Sequence, residues 1–260
     1  MTTTVPAVST PAVAVTTARP LSLARTIRVE ARKLVDTRPS LLLIGVAAVL
    51  SAAFAAGVAL VPGELGLTLG LLGDLAAMPA SMITTVLAVL LVAGEYTART
   101  ASVTFTLDPR RGRVLAGKAI AVLVLALVAS ALSYLAAAAV ALVAPLISGR
   151  PVAWSADPAG VGTVVGSVVF SALAGYALAL AFRNAVAPIL LLLVWPTVAL
   201  LIGSTSPAIR EALAYLDVDP VFGLTDGSTN PVVKLLVSAL AWVLLPAVLG
   251  VWRTLRQDVE

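Results

Sequence analysis

Six long apolar stretches constrain this chain more than any other feature. A helix needs about 20 residues to cross the hydrocarbon core of a bilayer. Open strands would leave backbone groups unpaired in lipid, and the alternation typical of barrel strands is missing. The sequence therefore predicts an all-α, polytopic membrane protein with six transmembrane helices. We expect the spans at 40–61, 75–93, 119–144, 160–182, 185–203 and 232–252.

The polar segments between the stretches predict the orientation. With both termini on the cytoplasmic side, the inner side holds all of the 17 Lys and Arg residues except Arg150, Arg210 and Lys234. This asymmetry follows the positive-inside rule and favours an even number of spans. We expect a multi-pass protein of the plasma membrane, with a disordered tail at 1–20 and a single transmembrane domain at 21–260.

Composition excludes several function classes. The chain has no cysteine and no histidine, so it lacks disulfides, thiolate nucleophiles, histidine bases and the common zinc ligands. Although the net charge is +4, the basic residues lie beside apolar stretches. They are interpreted as topology signals, and no nucleic-acid partner is expected.

An amphipathic helix is predicted before the first span, within residues 21–40, lying on the membrane surface against lipid headgroups. Glu30 breaks its pattern, because it projects onto the apolar face, where an unpaired carboxylate is costly. Glu30 either reaches the interface or pairs with Lys33 or Arg32 on the same helix, or it forms an ion pair with the basic loop after the second span. The sequence leaves both open.

Segment 94–118 is the one long charged interruption between the apolar stretches. If the second helix continues inward, Glu95 and Arg99 lie on one polar strip at the favourable i, i+4 spacing, while Phe105 lies on a separate apolar strip. Asp108 and Pro109 are expected to end this helix. A basic turn would follow before the chain re-enters the membrane, and its cations are Arg110, Arg111, Arg113 and Lys118.

Two further segments carry packing and loop predictions. Gly162 and Gly166 form a GxxxG pair that allows close helix contact, within one chain or between two.

Between the last two spans, Ser206 and Pro207 predict the start of a short helix on the outer mouth of the bundle. The aspartates that follow, Asp217, Asp219 and Asp226, lack a calcium-binding pattern and are interpreted as solvated surface.

The segment after the second span contains E-Y-x-x-x-T, then an apolar run, then D-P-R-R-G-R-V-L-x-x-K leading into the third span. This order resembles the first cytosolic loop of one family, the permease subunits of ABC-2-type transporters, particularly actinobacterial ones. The segment R-V-E-A-R-K-L-V-D-T-R-P-S, which contains Glu30 and Lys33, resembles its surface helix, and Arg183-Asn184 resembles its tight turn between spans four and five.

The resemblance implies a membrane subunit of an ABC exporter that dimerises and binds separate ATP-binding subunits. The partner-binding surface would be the loop after span two, whose coupling helix and basic turn contain Glu95 to Lys118. ATP and magnesium would belong to the partner, since this chain has no G-x-x-x-x-G-K-[ST] loop, and no cofactor or enzymatic activity is expected in the chain itself. The sequence selects neither a substrate nor a homodimer over a heterodimer.

Two other readings remain open. One is an integral membrane enzyme acting on lipids, which the missing histidines and the lack of paired carboxylates at the inner interface disfavour. The other is a non-transporting immunity or stress protein that only occupies the membrane.

Overall fold

A computed structural model of the protein describes residues 23–60, 66–97, 111–225 and 227–256. These residues form eight helices connected by turns, with one isolated β-bridge and no strand in this part of the chain. The helices are α1 Leu23–Asp36, α2 Arg38–Leu60, α3 Leu69–Thr97, α4 Arg111–Ser148, α5 Pro158–Phe182, α6 Val186–Gly203, α7 Pro207–Leu213 and α8 Pro231–Arg256. All except α1 and α7 are long and apolar enough to cross a membrane. The expected six spans are thereby confirmed at the level of length and composition.

The core lies between α3 and α5, which bury most of their apolar residues, whereas α2, α6 and α8 leave most of theirs exposed. Gly175 explains how closely the two central helices approach. A Cβ atom at this position would lie 2.9 Å from the backbone oxygen of Thr85 on α3. Small residues at such a crossing permit the dense packing that drives helix association in lipid.

The GxxxG pair of α5 does not lie at a crossing with another span of the same chain. A Cβ atom on Gly166 would meet the side chain of Val221 at 2.9 Å, so this glycine accommodates the segment between α6 and α8. Gly162 has no neighbouring atom within 4 Å of such a Cβ. Within one chain, therefore, Gly166 makes room for the connecting segment, and Gly162 faces open space.

A π-helical turn at Leu240–Leu244 interrupts α8 directly before Pro246. Proline has no N–H to donate to the preceding turn, and its ring crowds that turn, so a local widening relieves the conflict. The wide turn carries Trp242, whose indole N–H donates to the carbonyl of Leu216 at 3.0 Å. The π-helical turn thus carries a side chain that fastens the segment between α6 and α8.

The bundle has two ends. At the first, called here the α1 end, α1 lies across the ends of α3 and α4 next to the start of α2. At the opposite end, Leu67 and Leu69 exchange backbone hydrogen bonds with Ala153, and α7 begins at Pro207 after Ser206, as predicted.

Candidate functional site

Four charged side chains form a closed ring at the α1 end. Lys118 of α4 contacts Glu30 of α1 at 2.7 Å and Glu95 of α3 at 2.9 Å. Lys33 of α1 contacts the same two carboxylates, Glu30 at 2.9 Å and Glu95 at 2.7 Å. Two cations therefore alternate with two anions, and this ring of Glu30, Lys33, Glu95 and Lys118 joins three helices. We call it the charged ring.

The sequence around Lys118 explains how it reaches the ring. Val114 and Leu115 are buried, so the first turns of α4 pack against the bundle instead of leaving it as a loop. Gly117, which precedes Lys118, lies against α1, because a Cβ atom there would be 2.8 Å from the Thr26 methyl group. Thr26 and Glu30 are four residues apart and thus share one face of α1. The glycine contact brings this face onto α4, within reach of the ammonium group.

The centre of the ring is dry and fully hydrogen-bonded. The side chains of Lys118 and Glu30 are each only 3% exposed, and that of Glu95 is 13% exposed. The ammonium group of Lys118 has three protons, and it donates to Glu30, to Glu95 and, at 3.3 Å, to the carbonyl of Leu91. Buried ions are tolerated only with such complete pairing, because their desolvation is costly.

Lys33 forms the exposed side of the ring, with 39% of its side chain accessible. Burial by itself would lower the pKa of Lys33. Its hydrogen bonds to Glu95 and Glu30 and the charges of both carboxylates outweigh that effect and raise the pKa above the ordinary lysine value. Lys33 therefore stays charged throughout the physiological pH range.

Further contacts tie the remaining spans together at the same end. Tyr176 of α5 donates from its hydroxyl group to the carbonyl of Leu115 on α4 at 2.8 Å. Arg111, the first residue of α4, donates to the carbonyl of Thr254 on α8 at 2.7 Å. The guanidinium group of Arg183, after α5, lies 5.5 Å from the ring centre of Tyr96 on α3. The two helix ends that flank segment 98–110 are thus linked to α1, α5 and α8.

The predicted coupling residues divide into two groups. Glu95, Arg111, Arg113 and Lys118 belong to the described ranges, and Glu95 and Lys118 meet in the charged ring. The other predicted members of the coupling helix and basic turn lie outside the described residues: Arg99, Phe105, Asp108, Pro109 and Arg110. Of the four described members of the predicted surface, three contact other helices of the same chain: Glu95, Arg111 and Lys118.

Two expectations need correction. The predicted basic turn is wrong for Arg111 and Arg113, which form the first turn of α4. The helix starts eight residues before the predicted span because Val114 and Leu115 gain burial there. Lys118, expected on a partner-binding surface, is 2% exposed and bonds only within the bundle among the residues described. Glu30 pairs with both Lys118 and Lys33. Arg111 donates a hydrogen bond to the carbonyl of Thr254.

Several contributors to this end were not singled out from the sequence. Tyr176 has no spacing or charge pattern that separates it from ordinary aromatic residues of a membrane helix, and Tyr96 was quoted only as part of the E-Y-x-x-x-T motif. Gly117 also carried no signal, since its importance comes from the approach of α1, a contact between residues far apart in sequence. For Glu30 a signal existed, because a carboxylate on an apolar helix face requires a cation.

A pair of double-mutant cycles tests the ring geometry. Glu30→Ala and Lys118→Ala are expected to couple by about 1–3 kcal/mol in the free energy of unfolding, since the two residues share a buried ion pair. Glu30→Ala and Arg111→Ala should be additive within about 0.5 kcal/mol, because Arg111 lies roughly 10 Å further along α4. Unfolding by SDS in mixed micelles measures both cycles. Equal coupling in the two cycles would contradict the geometry.

The arrangement is suited to holding helices together rather than to covalent chemistry. Its carboxylates are already paired with lysines, and within the described part of the chain no group of three or more acidic residues is placed to hold a metal ion. Comparisons with protein-family models and with curated protein sequences yield no match to this chain.

Proposed function

We propose that this chain is the membrane-spanning permease subunit of an ATP-driven ABC exporter. The proposal draws on the motif resemblance and on one structural observation that supports it. The charged ring fastens α1 to α3 and α4, which are the two helices on either side of segment 98–110. A force applied to that segment by a soluble partner would therefore reach α1 and two spans together.

The contacts beyond the ring support the same role. Tyr176 joins α4 to α5, and Arg111 joins α4 to α8, within the first turns after the segment. Arg253 of α8 in turn donates to the carbonyl of Ala181 at the end of α5, at 3.0 Å. A movement of segment 98–110 is transmitted to the spans only if the helices beside it are held rigidly to their neighbours. These polar contacts between otherwise apolar helices hold them together at the α1 end.

In this proposal the α1 end faces the cytoplasm. The distribution of Lys and Arg favours that orientation, with both termini inside and the protein in the plasma membrane. The partners would be an ABC ATP-binding subunit at segment 98–110, membrane lipids around α2, α6 and α8, and a second permease copy or paralogue completing a dimer. ATP and magnesium would be bound by the ATP-binding subunit.

Reconstitution with the ATPase tests the proposal. The adjacent reading frames are searched for a phosphate-loop ATPase, and the chain is co-expressed with such a partner, purified and placed in liposomes. We expect the two proteins to co-purify, with the chain silent alone and ATP hydrolysis appearing or rising only in the complex. A chain that forms no complex and leaves the rate of ATP hydrolysis unchanged would contradict the proposal. That result would favour a membrane enzyme or a non-transporting membrane protein.

A charge-matched pair of variants localises the coupling surface. Arg110→Ala with Arg113→Ala is expected to reduce the stimulated ATPase rate by about tenfold or more, because each lost charge-assisted contact costs about 1.5 kcal/mol or more. Arg111 is left unchanged because it binds the Thr254 carbonyl. Arg28→Ala with Arg32→Ala removes the same charge from exposed positions of α1 and should retain most of the stimulation. Equal losses in both variants would indicate a general charge effect instead of a defined partner surface.

A further inference from the structure

A cavity of about 180 Å³ lies between α3, α5 and α6, away from the charged ring. Its walls are mostly apolar and include Met78 and Met82 of α3 with Leu192 and Leu193 of α6. One charged side chain lines it, that of Asp219, from the segment between α7 and α8. The cavity therefore combines a carboxylate with a hydrophobic pocket.

Asp219 is only partly exposed and lies against the bundle, although the sequence suggested a solvated aspartate. Its carboxylate accepts a hydrogen bond from the hydroxyl group of Ser167, which is buried in α5. Ser167 is nine residues, roughly 14 Å, along the helix from the start of α5. The expectation of solvated surface is wrong for this residue because Val221, two residues later, packs against Gly166 and draws the segment inward. Asp217 is exposed, and Asp226 lies outside the described residues.

No cation of the described chain neutralises this carboxylate. Asp219 makes no ion pair among the described residues, and Lys234 of α8 is paired with Glu211 at 2.9 Å instead. The side chains that line the cavity from α3, α5 and α6 are uncharged, and Asp217 is the titratable neighbour whose charge acts on Asp219. Burial, opposed by the Ser167 hydrogen bond and reinforced by Asp217, raises the pKa of Asp219 to about 6.

A carboxylate beside an apolar cavity is costly unless a cation accompanies it. A metal ion is a poor match, because hard cations require six or more oxygen ligands, whereas this cavity is lined largely by methionine and branched aliphatic side chains. An organic cation satisfies both features, since its charge faces the carboxylate and its apolar body fills the pocket. We propose that the Asp219 cavity is a binding site for a small lipophilic ammonium compound.

The proposal is independent of any ATPase and is tested on the full chain alone. The protein is placed in nanodiscs of neutral phosphatidylcholine at pH 7.5, and binding is measured by calorimetry against empty nanodiscs. The probes are benzyltrimethylammonium and its neutral isostere, neopentylbenzene, which share one shape. We expect saturable binding of the cation with an affinity at least about tenfold above that of the isostere, because a nearby carboxylate attracts only the charged probe.

Two neighbouring substitutions locate the charge. Asp219→Asn keeps the side-chain shape and should lower the affinity for benzyltrimethylammonium by about tenfold or more. Asp217→Asn removes a carboxylate two residues away and should change it by less than about threefold, since Asp217 is exposed and screened. Equal affinities for the two probes, or equal losses in the two variants, would overturn the proposal.

Thermal unfolding without any probe gives a second readout. An ionised Asp219 is penalised in the folded state, so the penalty is complete above its folded pKa and diminishes as the pH falls. Asp219→Asn should therefore raise the Tm at pH 7.5, and the gain should be smaller at pH 4.5. A variant that is less stable than the wild type at pH 7.5 would show that the carboxylate is a structural member of the bundle, and this would also overturn the proposal.

Discussion

Replacing Lys118 by methionine is expected to lower the free energy of unfolding by about 3–5 kcal/mol, the range typical of breaking a buried ion pair from one side. Methionine preserves the length and apolar stem of lysine, so the loss reports the ammonium group. Without it, the Glu30 and Glu95 carboxylates share only Lys33, and the carbonyl of Leu91 loses its side-chain donor. SDS unfolding in mixed micelles measures the change.

Lys33→Met is the matched control, because it removes the other cation from the same two carboxylates. The Lys33 side chain is 39% exposed against 3% for Lys118, so water replaces much of what the lysine supplied. We expect a loss of about 1 kcal/mol, as for an exposed ion pair. If both substitutions cost the same, burial does not determine the contribution of the ring, and the assignment of Lys118 as its central member is wrong.

The parts of the fold that periodicity and hydrophobicity determine could be predicted from the sequence. The six apolar stretches correspond to six long helices. The amphipathic pattern before the first span predicted α1, which ends at Asp36 instead of near Ser40. The ends of the spans were less predictable, since α3 and α4 extend beyond the apolar stretches. Hydrophobicity detects the part of a helix in lipid, whereas the polar turns beyond it continue wherever packing favours them.

For the charged ring, the sequence predicted only that Glu30 requires a cationic partner. Glu30 on an apolar face signalled a missing cation, and the basic segment after span two was one of two sources considered. Lys118 was not selected, because a lysine at the start of a span ordinarily reaches the interface. Its burial depends on Gly117 lying against Thr26, a contact between α4 and α1 that no local pattern contains.

Asp219 illustrates the same limit at the opposite end of the bundle. Three aspartates among turn residues have the composition of a solvated loop, and Asp217 is indeed exposed. Asp219 differs because Trp195 and Trp242 both donate to the carbonyl of Leu216, at 2.7 Å and 3.0 Å, and fix the segment between α6 and α8. The position of a short loop against a bundle is decided by such long-range contacts, so Asp217 is exposed whereas Asp219, two positions later, is partly buried.

Gly250→Ala should lower the free energy of unfolding by about 1–3 kcal/mol, as expected when an atom is added to a well-packed core. A Cβ atom at Gly250 of α8 would lie 2.5 Å from the Cβ of Leu180 and 2.7 Å from its backbone carbonyl carbon. Since backbone cannot move aside as a flexible side chain does, α8 must separate from α5. The nearby hydrogen bond from Arg253 to Ala181 would be strained as well.

Gly57→Ala in α2 is the matched control for this prediction, because it makes the same change in another span. No atom lies within 4 Å of a Cβ at Gly57, so the substitution meets open space. Alanine favours a helix over glycine by about 0.5–1 kcal/mol, so this variant should be neutral or slightly more stable. The two substitutions are thus expected to differ in sign under identical SDS titration. A Gly250→Ala variant as stable as the wild type would contradict the close crossing of α5 and α8. It would also contradict the proposal that the helices beside segment 98–110 are held rigidly together.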